Sequence, residues 1–248
     1  MKKTHYILLI LGISLLTACS NNSDTVSSSE NTGQGGSLAT FILKGNYLYT
    51  VDYNKLTVFH IKEIANPIKV NAVEVGFNIE TLFSYQNFLF IGSQDAMFIY
   101  DITNAELPKK LSQSNHFRAC DPVVANDTHA YVTLHTNTFC QGSFNELRTY
   151  DIKDIENPSL LNVRGLTAPK GLSIYKDNYL LVCDDTVKIF DISTPEASIF
   201  IDEIQTKNAI DIIIKNNHAF IISEHSISQY LLNNNDIKNF KKVSVFNF

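Results

Sequence analysis

Tryptophan is missing from the 248 residues, methionine occurs twice, and glycine (10) and proline (6) are sparse, which excludes a collagen or a low-complexity chain. Clustered positive charge is also lacking: Lys+Arg number 20 against 25 Asp+Glu, a net charge of −5 with no basic block, so nucleic acid is not an expected partner. No apolar stretch reaches the ~20 residues that cross a bilayer as a helix. Past the first residues, nothing sustains a 3.6-residue apolar period over ~11 residues, so helices are expected to be nearly absent. HExxH, GxSxG, P-loop, GxGxxG and CxxC patterns are all missing, which removes the linear signatures of common catalytic and metal sites. What remains is 44% apolar and 18% charged, a composition that buries a sizeable core in one domain or at most two.

The amino terminus reads as an export signal. Lys2 and Lys3 precede an apolar run from Tyr6 to Ala18, and Cys19 follows Leu16, Thr17 and Ala18. This tetrad resembles the lipobox of bacterial lipoproteins, which implies removal of residues 1–18 and a lipid on Cys19; an ordinary signal peptide with a coincidental cysteine is the plainer reading. Residues 19–37, rich in Asn, Ser and Gly and without an aromatic residue, are expected to form a flexible tether. Ser20 behind the cysteine resembles the outer-membrane sorting pattern, so the expected location is the cell envelope, anchored through lipid.

From Phe41 onward one phrase returns five times. A polar turn pair precedes an apolar run: YLYTVD after Asn46, FLFIGS after Asn87, HAYVTL after Thr128, YLLVCD after Asn178 and HAFIIS after Asn217. The steps are 41, 41, 50 and 39 residues, so one unit carries an insertion. Each unit supplies a strand before the pair, a strand after it, a third ending in a pair such as Asp101-Ile102, and a fourth beyond a shared proline at Pro67, Pro108 or Pro158. Four short strands per ~40 residues predict a propeller blade. The fold class is therefore all-β, a five-bladed β-propeller over 38–248, with repeats at about 41–78, 79–118, 119–169, 170–208 and 209–248. No spare strand is evident to lock the ring.

The segments LLVCD at 180–184 and LYTVD at 48–52, with the shared Asp-Ile-then-Pro pattern, resemble the LVIVD-repeat family of bacterial lipoproteins. That resemblance spans the whole mature domain and implies a β-propeller. The terminal units depart from it: His60 and Leu231 stand where Asp101, Asp151 and Asp191 stand. Recurrence of these aspartates between units predicts a structural hydrogen bond to a turn rather than a metal.

Cys183 falls in a strand core and reads as a buried thiol. Cys120, at the entry to the third unit, and Cys140, in its insertion, face the same loops and are expected to form a disulfide in an oxidising compartment. His129 and His218 occupy an aromatic slot. Loops that break the repeat are the better place to look for function. They gather Glu80, Phe117, Arg118, Asp121, His135, Asn145 and Asp211 on one face, which reads either as a solvated rim or as a binding surface for an envelope protein or glycan. The expected function is a non-catalytic binding module with no cofactor. The rival is a metal-dependent hydrolase or lyase that uses Glu80, Asp121 and Asp211, with calcium the weakly indicated ion.

Overall fold

The computed structural model describes residues 32–33, 35–116, 119, 122–135, 144–233 and 235–248. Residues 1–31, and with them Cys19, lie outside the described residues, as do Phe117, Arg118, Cys120, Asp121 and Cys140.

Five antiparallel blades of four sequential strands form the β-propeller. Blade one comprises Phe41–Lys44, Tyr47–Asp52, Lys55–His60 and Ile68–Glu74. Blade two comprises Ile79–Tyr85, Phe88–Ser93, Ala96–Asp101 and Lys109–Asn115. Blade three runs through Val123–Ala125, His129–Leu134, Glu146–Asp151 and Ser159–Gly165. Blade four runs through Leu172–Tyr175, Tyr179–Cys183, Val187–Asp191 and Ile199–Ile204, and blade five through Ala209–Lys215, His218–Ser223, Ser226–Leu231 and Lys241–Asn247. Among the described residues the only helical turn is the 3-10 segment Pro195–Ala197.

The repeated sequence dictates repeated local geometry. The first-to-second-strand turns of blades one, two, four and five pass through positive φ, at Gly45 (55°), Gln86 (48°), Lys176 (52°), Asp177 (56°), Asn216 (49°) and Asn217 (62°), a region that suits the glycine and the Asn and Asp residues best. Every blade slips register between its third and fourth strands, just before an aromatic residue: Phe59, Tyr100, Tyr150, Phe190 or Tyr230. Such a bulge increases local twist, which propeller blades need. The recurrent aspartates do what their repetition predicts. Asp101, Asp151 and Asp191 each accept from the amide two residues on, at 2.7, 2.8 and 2.8 Å.

Blades pack face to face through alternate strand residues. Ile42, Tyr49, Val51 and Val58 of blade one bury against Leu82, Leu89, Ile91 and Phe98 of blade two. Equivalent clusters join blade two to three (Met97, Ile99, Val123, Val132), three to four (Val124, Tyr131, Leu180, Phe190) and four to five (Leu181, Ile189, Ile212, Ile221). Among the described residues no such buried cluster joins blade five to blade one. Phe41 of blade one, at the register position of the buried Leu82, is 59% exposed, and the outermost strand of blade five is exposed throughout.

That seam is spanned by residues expected to be tether. Thr32–Gly33 pairs antiparallel with Phe41–Lys44 as a fifth strand of blade one. Ser37 then donates its hydroxyl to Asp211 of blade five (3.1 Å) and accepts the amide of Leu172 in blade four (2.8 Å). Ala39 O receives the amide of Leu82 in blade two (2.7 Å), and Thr40 O that of Val51 in blade one (2.9 Å). One short segment therefore ties the innermost strands of blades two, four and five to blade one. The folded unit begins at Thr32, six residues before the expected boundary, because Ser37 and its neighbours find buried partners that composition does not reveal.

Candidate functional site

The loops between second and third strands and the connections between blades share one face, the mouth. Asn78, held at φ 49°, donates its side-chain amide to Gln94 Oε1 (2.8 Å), and Gln94 donates in turn to Glu80 Oε1 (3.1 Å). Burial raises the Glu80 carboxyl above its usual range, opposed by the Gln94 hydrogen bond and by His116. Beside this chain, Tyr53 and Phe77 meet edge to face at 5.5 Å and are both exposed. On the blade-three side, Asn145 donates its amide to Thr167 O (2.7 Å) and accepts Leu166 N on its own carbonyl (2.8 Å). His135 is buried at the end of the second strand of blade three. Asp184 is also buried; it accepts the amides of Thr167 and Ala168 and lies 3.3 Å from Lys188 Nζ.

Asp211 lies at the start of the innermost strand of blade five. Ile79 pairs with Ser93 and Thr81 with Gly92, leaving Glu80 unpaired in a bulge; in blade five the same bulge leaves Ile210 unpaired and puts Asp211 opposite Ile222. Asp211 is thus the equivalent of Thr81, one residue out of step with Glu80. Its carboxylate is buried and held by the Ser37 hydroxyl, the Leu38 amide (3.4 Å) and the Ile212 amide (2.9 Å). Burial raises its pKa, with those hydrogen bonds opposing. Gly36 and Gly171 flank it so closely that a Cβ on either would overlap the carboxylate. These contacts make Asp211 a clamp between blade five and the segment that enters blade one. Among the described residues no three His, Cys, Asp or Glu side chains gather as a metal site.

Cys183 lies fully buried behind Asp211. Burial pushes its thiol well above the ordinary value and Asp211 adds to the shift, so it is an inert core residue. Nothing in the sequence marks Ser37, Gly36 and Gly171 as one group around Asp211. A glycine and a serine facing an aspartate across 174 positions leave no local signal.

No family model and no characterised protein matches the sequence. Solved structures do match the fold. The periplasmic gluconolactonase PpgL of Pseudomonas aeruginosa aligns over 82% of this chain and 68% of its own, with a TM-score of 0.63 and 12% identity. A protein of unknown function from Desulfotomaculum acetoxidans aligns over 82% and 80%, with a TM-score of 0.50 and 11% identity. Kluyveromyces lactis Hsv2p aligns over 82% of this chain and 60% of its own, with a TM-score of 0.52 and 9% identity. At these identities the likeness defines a β-propeller and nothing narrower.

Proposed function

We propose that this chain is a lipid-anchored β-propeller of the bacterial cell envelope, of the kind its LVIVD-like repeats suggest, serving as a non-catalytic binding module. Its partner is an envelope protein or glycan engaged at the mouth, around Phe117, Arg118 and Asp121, with Glu80, His135 and Asn145 nearby. The observation that carries this reading is the run of residues 36–40 across the inner edges of the blades, hydrogen-bonded to the innermost strands of blades two, four and five and to the second strand of blade one. A reaction centre on the axis would need that space, whereas a binding surface on the surrounding loops does not. A lipid on Cys19 would hold the mouth-bearing domain at a membrane, and a Cys120–Cys140 disulfide would brace its long loop.

The rival hydrolase or lyase reading needs Glu80, Asp121 and Asp211 to share a cation, and Asp211 is engaged in the clamp. That one structural neighbour is named a gluconolactonase does not revive it, since a likeness at 12% identity is one of fold.

The test is capture of envelope proteins and glycans on the membrane-extracted protein, comparing wild type with a Phe117→Ala/Arg118→Ala variant, alongside elemental analysis. Loss of a specific partner in the variant supports the mouth. Full retention of that partner, or a stoichiometric metal whose removal abolishes a hydrolytic activity, overturns the reading.

A further inference from the structure

Each blade turns one face to the blade before it and the other to the blade after it, and the repeat allows equivalent positions to be compared around the ring. On the face toward the following blade, Tyr49, Phe90, Tyr131 and Leu181 are all 0% exposed. Blade five carries Phe220 at that register, and it is partly exposed. The outermost strands repeat the contrast. Ile204 of blade four is 0% exposed in the cluster with blade five, whereas Phe246, which pairs with Ile227 as Ile204 pairs with Val187, is 66% exposed.

The opposing face of blade one is bare in the same way. Phe41 is 59% exposed where Leu82 is 1% and Val123 and Ile212 are 0%. The turn between third and fourth strands gives the sharpest case. Ile64, three residues before Pro67, is 88% exposed, whereas Ile155, three before Pro158, packs on the cluster of blades two and three, and Ile237, in the same turn of blade five, is 3% exposed against blade four. Polar ties follow suit. Asn71, Ser112 and Asn162 of three outermost strands donate to Glu106 O (2.7 Å), Ile155 O (2.8 Å) and Glu196 O (2.7 Å) of the next blade, but Ser244 of blade five donates to Gln229 of its own (3.2 Å).

Among the described residues, then, both walls of the seam are junction faces that lack their complement. The Ser37–Asp211 hydrogen bond pins them on the inside, while the residues farther out stay open to solvent. In the other four junctions a face like that of blade one is covered by the following-side face of the preceding blade. The following-side face left over is that of blade five, so the surface that fits blade one of one copy is blade five of another. The area suffices. Phe41, Ile64, Phe246 and its neighbour Phe248 are 59, 88, 66 and 66% exposed, with the two terminal rings 6.2 Å apart. At about 200 Å² per large side chain they leave roughly 550 Å² of apolar surface on each copy. Covering it on two copies buries roughly 1,100 Å² before flanking polar surface is counted, which clears the ~1,000 Å² that a specific interface needs.

We propose that the open seam between blades five and one is the interface of a two-fold homodimer, in which blade one of each copy packs on blade five of the other. Phe41 and Ile64 of one copy meet Phe246 and Phe248 of the second, and the reverse, so the contact closes on itself instead of growing into a filament. The pair presents two mouths. Dilution below its dissociation constant leaves the seam bare.

The test uses the full-length protein. Two differently tagged copies, one with Ile64→Cys and the other with Phe246→Cys, are co-expressed and oxidised in the membrane; a disulfide-linked heterodimer is expected, and none from two wild-type copies. Light scattering in detergent is expected to give a polypeptide mass of two chains, falling to one chain with Phe41→Glu/Phe246→Glu. Both side chains are exposed in the single copy, so this variant is expected to keep its far-UV spectrum. A mass of one chain at every concentration, or a dimer that the charged variant leaves intact, overturns the proposal. So does an Ile64→Cys/Phe246→Cys double variant that links within one chain and not between chains, since the ring then closes on itself.

Discussion

A carboxylate buried between two glycines and three hydrogen-bond donors fastens the segment that enters blade one to blade five. Asp211 loses solvation on folding, and the Ser37 hydroxyl with the Leu38 and Ile212 amides return only part of it, which is why its pKa stands above the usual carboxylate range. The sign of the pH dependence follows. With the folded value above the unfolded one, the native state binds the proton more tightly, so this group's contribution to stability rises as pH falls through its folded pKa and levels off below the ordinary value of about 3.9. Asp211→Asn removes that titration and keeps one acceptor for Ser37. In urea unfolding, wild type is expected to gain stability relative to Asp211→Asn as pH is lowered from 7 toward 4. A constant difference across that range would show that the buried group is not the one titrating.

The blade is the unit that the sequence spells out most clearly, because its signals are local. Polar turn pairs, period-two alternation and the strand-end aspartate all act within a few residues, and they mark strands such as Tyr47–Asp52 and Phe88–Ser93 to the residue. Asp151 illustrates the strength of one such device. Its Oδ1 accepts the Lys153 amide, and that hydrogen bond holds its carboxyl below the ordinary range. Asp151→Ala is expected to lower stability by about 0.5–1.5 kcal/mol, read as a shift in urea midpoint with an unchanged slope. An equal loss from mutating the exposed Asp154, which makes the next turn, would be compatible with this account; no loss at Asp151 would not. The candidate site was far less legible. Ser37 sits in a stretch whose composition reads as linker, and Glu80 and Asp211 lie near equivalent strand entries, although the turn pairs ending in Asn87 and Asn217 already set Asp211 level with Thr81.

Among the described residues, four of the five blade junctions rest on buried apolar clusters, while the junction of blades five and one rests on hydrogen bonds from residues 36–40, and this asymmetry governs how the ring opens. Repeat arrays hold together through nearest-neighbour interfaces, so the weakest interface is where sub-global unfolding starts. Phe41–Lys44 and His218–Ser223 flank the seam; Ile79–Tyr85 and Phe88–Ser93 occupy the same positions in a blade packed on both faces. Native-state hydrogen exchange is expected to be faster in the first pair than in the second. Ser37→Ala sharpens the contrast, because it leaves the Leu172 amide of blade four without its acceptor and removes one of the three donors to Asp211, a loss of about 1–3 kcal/mol where the segment entering blade one meets blades four and five. Exchange in blades one and five should then accelerate about tenfold or more, with blade three, two interfaces away, much less affected. Equal acceleration in all five blades would instead mean that the ring opens as a single cooperative unit and that residues 36–40 stabilise the whole rather than closing one gap.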